Sequence, residues 1–215
     1  MAIPVLVIGK SGAGKSASMR GFAPGEVGIV NVLGKPLPFR NQHKTVKTTD
    51  YAQITAMLAG AKVHSIVIDD AGYLITDHFM VEHSNTGKGN AVFGLYNDMA
   101  DKFYNLVRYI VTDLPEEKIV YVLMHEDKNE FGDIKPKTIG KLLDEKVCLE
   151  GLFTIVLRAV GDQSKHVFIT QSAGYDVAKS PMGMFDTIEI DNDLKAVDTA
   201  IRNYYGLEVK KNEKA

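Results

Sequence analysis

Ile3-Pro4-Val5-Leu6-Val7-Ile8 runs without a break into Gly9-Lys10-Ser11-Gly12-Ala13-Gly14-Lys15-Ser16. The first six residues form an apolar run of the length of a buried strand. The next eight satisfy the phosphate-loop pattern G-x-x-x-x-G-K-[ST], and chemistry accounts for its spacing. Gly9, Gly12 and Gly14 let the backbone bend until its N–H groups converge on phosphate oxygens. A helix is expected to begin at once, its N-terminus adding positive potential. Lys15 is placed to reach β- and γ-phosphates, and Ser16 to offer a hydroxyl to Mg²⁺. Ser11, Ala13 and Ala17 complete the expected nucleotide-contacting set. The bland alternative is a glycine-rich turn between strand and helix that binds nothing.

Outward from this loop the chain alternates apolar runs with helical patterns. Strands are expected at about 4–8, 28–32, 65–68, 118–124, 153–157 and 166–170. Helices are expected from the loop to about Gly21, from a Thr49-Asp50 cap to Ala61, over 91–111, from about Ile139, and over 191–205. This pattern predicts an α/β fold with a mainly parallel sheet covered by helices on both faces. Ligands in such sheets bind beyond the C-terminal strand ends, where the loop, Asp69 and His125 would converge. The 215 residues suffice for one well-buried domain, expected over 1–206, with a charged tail over 207–215. A hydrophobic share of 45% and a charged share of 24% place the chain among ordinary globular proteins. With a net charge of -2, any polyanion surface must be local rather than global. The single cysteine, Cys148, excludes an internal disulfide and suits a reducing, cytoplasmic setting. No secretory leader is expected, and no apolar stretch approaches a membrane span.

A Mg²⁺–triphosphate site needs a carboxylate to hold the metal. His64-Ser65-Ile66-Val67-Ile68-Asp69-Asp70 supplies one at a strand end, with Asp69 as the metal partner. Asp70 is placed to orient or deprotonate water, unless it only caps the following turn; Glu126 is its rival for that role. His125, ending the strand over 118–124, is placed to report the γ-phosphate to the next loop. Two stretches rich in lysine lack acids. Residues 27–49, apart from their start, carry Lys35, Arg40, His43, Lys44 and Lys47, and residues 134–141 carry Lys135, Lys137 and Lys141. Each is either a phosphate-backbone contact or a solvated face. Residues 82–90, with Lys88, read as a polar mobile loop, and Tyr73 and Phe93 beside it as core.

The strand pattern, the phosphate loop at the start and the Asp69-Asp70 strand resemble a RecA-like ATPase core. More narrowly, the chain is similar to phage-encoded, single-domain RecA-like ATP-binding proteins of the single-strand annealing and recombination class. Stretches at 34–39, 138–146, 150–158, 179–185 and 190–194 carry that likeness. The resemblance implies ATP and Mg²⁺ as cofactors, single-stranded DNA as partner, a homo-oligomer and, as a further candidate partner, a single-strand DNA-binding protein. It implies DNA contacts through 82–90 and 126–141, hence Lys88, Lys135, Lys137 and Lys141, with His125 as the switch between ATP and the second loop. A neighbouring subunit's Lys141 or Arg158 is the candidate to complete the site. The sequence departs from the RecA-like pattern at 31–38, where the water-activating glutamate is missing, and in the absence of an N-terminal linking extension. The expected function is therefore a Mg²⁺-ATP-dependent ATPase assisting phage DNA recombination or annealing. The rivals are a nucleotide-gated scaffold with negligible turnover and a metabolite kinase, which the scattered Arg20, Arg40, Arg108, Arg158 and Arg202 disfavour.

Overall fold

A computed structural model describes residues 1–207; of the tail expected over 207–215, all but Leu207 lies outside them. The strands are β1 (Ile3–Gly9), β2 (Val27–Asn31), β3 (Thr45–Val46), β4 (Ser65–Asp69), β5 (Ile119–Lys128), β6 (Ile134–Pro136), β7 (Ile155–Gly161), β8 (His166–Ile169) and β9 (Glu189–Asp191). The helices are α1 (Tyr51–Gly60), α2 (Tyr73–Glu82), α3 (Asn90–Thr112) and α4 (Leu194–Tyr205). The sheet runs β3-β2-β4-β5-β1-β7-β8-β9. The first six of these are mutually parallel, while β8 and β9 are antiparallel additions at one edge.

Side-chain alternation builds two cores from one set of strands. Leu6, Ile8, Ile66, Ile68, Val120 and Val122 face one way, under α1, α2 and α3. Val5, Val7, Val67, Tyr121, Leu123 and Leu157 face the other way, under α4. Both faces of the parallel strands are therefore apolar and covered, as the α/β expectation requires. Asp50 caps α1 by accepting from the backbone N–H groups of Ala52 and Gln53, and Asp193 caps α4 through those of Lys195 and Ala196. Among the described residues no helix is long and apolar enough to cross a membrane.

Several expectations need correction. The helix after the phosphate loop is only a six-residue 3₁₀ segment, Ser16–Gly21. It stops because Pro24 and Gly25 follow and because the Asp193 carboxylate packs against Gly21, where a Cβ would lie 2.6 Å from Asp193 Oδ1. So short a segment adds little dipole, and the loop must rely on its own amides and Lys15. The helix expected from Ile139 is instead a π turn, Leu142–Lys146, followed by a 3₁₀ turn, Leu149–Leu152. Strand β5 does not end at His125 but continues to Lys128 and pairs antiparallel with β6. Phe93 is 69% exposed rather than core, whereas Tyr73 does pack against the core.

One polar cluster lies inside the apolar layers. Asp198 on α4 accepts from Ser65 Oγ at 2.5 Å, Tyr121 Oη at 3.0 Å and Arg202 Nε at 2.9 Å. Arg202 Nη2 donates to Ser65 Oγ at 2.8 Å, which closes the ring of contacts and ties α4 to β4 and β5. Replacing one partner leaves the others buried and unpaired. Asp198→Ala should destabilise the protein by about 3–5 kcal/mol in urea denaturation. A loss under about 1 kcal/mol would show that the cluster does not hold α4 in place.

Candidate functional site

β1 and β4 end on the same edge of the sheet, where β5 passes them at His125, and residues at that edge supply the site. Gly9 lies opposite His125 on one side and Ala159 on the other. A Cβ on Gly9 would fall 2.6 Å from the Ala159 carbonyl oxygen, so only glycine lets the loop leave the sheet here. Gly12 and Gly14 hold φ of +81° and +91°, the left-handed region in which other residues are strained. Beyond Gly14 stand His166 and Asn192, each within 3.0 Å of where its Cβ would be.

Lys15 is 6% exposed, not solvent-facing, and its Nζ donates to the carbonyls of Gly9 at 2.8 Å and Lys10 at 2.9 Å. Its Nζ also lies 3.4 Å from His125 Nδ1. A lysine ammonium only donates, so Nδ1 accepts and the imidazole carries its proton on Nε2. That nitrogen points at Asp70 Oδ1, 3.8 Å away. Burial foremost, and then the Lys15 charge, push the His125 pKa down and keep the ring neutral near pH 7. Tyr73 meets the same ring edge-on, with centroids 5.8 Å apart.

Ser16 Oγ donates to Asp69 Oδ1 at 2.8 Å. Asp69 is buried, and that burial raises its pKa to about 6; Asp70 reinforces the rise while the Ser16 hydrogen bond opposes it. Asp70 is buried as well and holds φ of +60°, a left-handed conformation unusual outside glycine. The kink turns the chain out of β4 toward α2 and directs the carboxylate to Lys35, whose Nζ lies 2.6 Å from Asp70 Oδ2. A cavity of about 340 Å³ is lined by Ser11, Gly12, Gly14, Lys15, Ser16, Ala17, Lys35, Asp70, His125 and His166, among others.

The loop, Lys15, Ser16, Asp69, Asp70 and His125 thus stand together, as the sequence led one to expect. Glu126 does not join them. Arg158 Nε donates to one of its carboxylate oxygens at 2.9 Å and Nη2 to the other at 3.3 Å, and Arg158 also meets Asp176. This bidentate pair occupies both the rival carboxylate and the arginine offered as a finger to a neighbour. The four lysines assigned to DNA separate. Lys137 lines a second cavity beside His125, and Lys135 a third with Lys146 and Cys148. Lys88, Lys137 and Lys141 are exposed, and Lys135 is half-buried. Gly140, next to Lys141, packs against the Tyr96 ring of α3. Sequence reasoning missed Lys35 as a member of the site, having read it as part of a basic stretch. The available signal was its place one residue after Gly34 in the turn leaving β2.

Two observations bear on whether these residues fit a Mg²⁺–nucleotide. The Lys15 ammonium is aimed at carbonyl oxygens of its own loop, a donor poised for anionic oxygens. The Ser16–Asp69 pair offers one hydroxyl and one carboxylate, the small protein share that Mg²⁺ takes when phosphates supply other ligands. Among the described residues no cluster of three or more His, Cys, Asp or Glu could hold a metal by itself. The residues fit the group on those terms. No protein-family model matches the chain, and no curated protein sequence matches it.

The Asp69 shift has a measurable consequence. A carboxyl whose folded pKa is raised binds its proton more tightly in the native state, so stability falls as pH rises from about 4 to about 6 and the cost persists above that. Asp69→Asn should stabilise the ligand-free protein at pH 7 by about 1–3 kcal/mol and by about a third of that at pH 4.5. Urea denaturation of both proteins at the two pH values checks this. Equal stability at pH 7 would contradict the buried, ionised carboxylate.

Proposed function

We propose that the chain is a Mg²⁺-ATP-dependent ATPase of RecA-like build that binds single-stranded DNA and assists phage DNA recombination or strand annealing. The observation that carries the nucleotide part is the Ser16–Asp69 hydrogen bond, which ties the expected metal carboxylate to the end of the loop whose carbonyls Lys15 caps. The parallel strand order β2-β4-β5-β1-β7 supports the RecA-like part. It inserts β5 between the loop strand and the Asp69 strand, so His125 faces both. The DNA part is supported by the family resemblance and by the exposure of Lys88, Lys137 and Lys141.

In this reading the loop amides and Lys15 bind the phosphates. Mg²⁺, held through Ser16 and Asp69, supplies neutralisation of phosphate charge. Asp70 takes a proton from the attacking water, and neutral His125 orients between Lys15 and Asp70. Nucleotide state reaches β6 through the backbone, because the Lys137 N–H donates to the His125 carbonyl at 2.7 Å. One observation favours a second reading, a nucleotide-gated scaffold with negligible turnover: both carboxylates able to serve as base are ion-paired, Asp70 to Lys35 and Glu126 to Arg158.

Hydrolysis assays with and without single-stranded DNA separate the two, the ATPase reading requiring DNA-stimulated phosphate release. Lys15→Ala should abolish ATP binding in calorimetry. Because Lys15 is buried and caps two carbonyls, it should also lower stability by about 1–3 kcal/mol. Anisotropy across a salt series tests DNA binding, which should tighten with a non-hydrolysable ATP analogue. Lys88→Gln with Lys141→Gln should flatten the slope of log affinity against log salt by about 1.4, roughly 0.7 for each phosphate contact on a single strand. Absence of binding at low salt with nucleotide present would overturn the DNA part.

A further inference from the structure

Lys35 lies within 31–38, the segment in which the RecA-like pattern leads one to expect a glutamate, and its backbone is held on several sides. β2 and β4 are neighbours in a register that sets Asn31 opposite Asp69, so the turn leaving β2 lies beside Asp70. Asn31 is buried and clamps that turn from both ends: its Oδ1 accepts from the Gly34 N–H at 2.8 Å and its Nδ2 donates to the Lys35 carbonyl at 2.6 Å. Gly34 holds φ of +65°, and the stem of Lys47 packs so closely that a Cβ there would lie 2.3 Å from Lys47 Cδ. The backbone of Lys35 is therefore fixed, while its side chain is 60% exposed and held at its end by Asp70. Its ammonium stands at a seam. Ser11, Lys35 and His125 line both the phosphate cavity and the second cavity, of about 470 Å³, which Tyr73, Thr76 and Lys137 also line.

We propose that Lys35 is the charge-stabilising cation of the site, supplied in cis. It holds the Asp70 carboxylate until a γ-phosphate is present, then transfers to that phosphate and frees Asp70 to act as base. The inference rests on the nucleotide reading above and adds to it the identity of the cation and a gate on the base. Charge favours the transfer. Without nucleotide, Lys15 and Lys35 balance Asp69 and Asp70; a triphosphate with one Mg²⁺ adds net negative charge and a stronger acceptor than a single carboxylate. Arg158 cannot serve instead, being held by Glu126 and Asp176. In the step itself the water oxygen bonds to the γ-phosphorus and its proton passes to the Asp70 carboxylate. The bond from phosphorus to the β–γ bridging oxygen breaks, and its electron pair leaves with ADP. The proton on Asp70 then passes to solvent. This gate also accounts for a base that is ion-paired in the structure, the observation that otherwise favoured a scaffold.

The test uses the full chain, with Mg²⁺ present, and compares wild type with Lys35→Ala and Lys35→Arg. Calorimetry measures affinity for ADP and for a non-hydrolysable ATP analogue, single-turnover assays measure hydrolysis, and thermal melts confirm folding. In Lys35→Ala, affinity for ADP should stay within about twofold of wild type, while preference for the analogue over ADP falls about tenfold or more, the worth of a charge-assisted hydrogen bond. Hydrolysis should fall about 10²–10³-fold, as when one transition-state donor is removed. Lys35→Arg should restore the preference. Asp70→Asn should tighten analogue binding severalfold in the wild-type background and not in Lys35→Ala, because the competitor for Lys35 is gone only where Lys35 exists. A wild-type protein that binds neither nucleotide overturns the nucleotide reading and this proposal together. Wild-type binding with an unchanged analogue-to-ADP ratio in Lys35→Ala overturns this proposal alone.

Discussion

Asp69 is a carboxylate kept at a buried strand end at the cost of its own ionisation, and the rest of the site is arranged around that cost. Burial lifts its pKa to about 6, yet what stands nearest is a hydroxyl, Ser16, rather than a cation. A full ion pair would settle the charge and leave nothing for a divalent ion to gain. The Ser16 contact stabilises the carboxylate only in part, and it also fixes the end of the phosphate loop against a strand two places away in the sheet. A buried carboxylate without a cation costs stability, a pattern common where function requires an uncompensated charge.

The neighbouring groups follow from the same edge of the sheet. Parallel strands deliver all their C-terminal ends to one side, so Gly9, Asp69 and His125 meet without long loops. Asp70 needs one further device, a left-handed residue directly after β4, to point its carboxylate into the cavity. Such strain of about 1–2 kcal/mol is sustained by the buried strands behind it. The Asp198 cluster anchors α4 on the opposite core, away from the site, and leaves the C-terminal edge free for chemistry.

The parallel core was legible because its strands are continuous apolar runs, and the tight glycine turn after β1 because its glycines have fixed spacing. Asp50 announced α1 as a side-chain cap. What escaped had physical reasons. Tyr73–Glu82 buries only Leu74 and Ile75 and shows no sustained apolar stripe, so α2 left no periodic trace. The segment 139–152 is apolar enough for a helix, but it folds as separate π and 3₁₀ turns that only tertiary packing selects. Lys35 looked like one lysine among several because its role depends on β2 and β4 being neighbours in a particular register, a long-range fact. Glu126 looked available for the same reason, since its partner Arg158 is 32 residues away.

In the function proposed, these groups form one site for a Mg²⁺–nucleotide. Thermal unfolding of the wild-type protein tests it most directly, with ATP and Mg²⁺ together, with ATP and a chelator, and with Mg²⁺ alone. Binding to the native state alone adds about 2.7 kcal/mol at a hundredfold excess over Kd, which for a chain of this size corresponds to a rise in Tm of several degrees. The account predicts that rise with ATP and Mg²⁺ together, a clearly smaller one with ATP and chelator, and almost none with Mg²⁺ alone. An unchanged Tm with ATP and Mg²⁺, or a shift produced fully by Mg²⁺ without nucleotide, would contradict it.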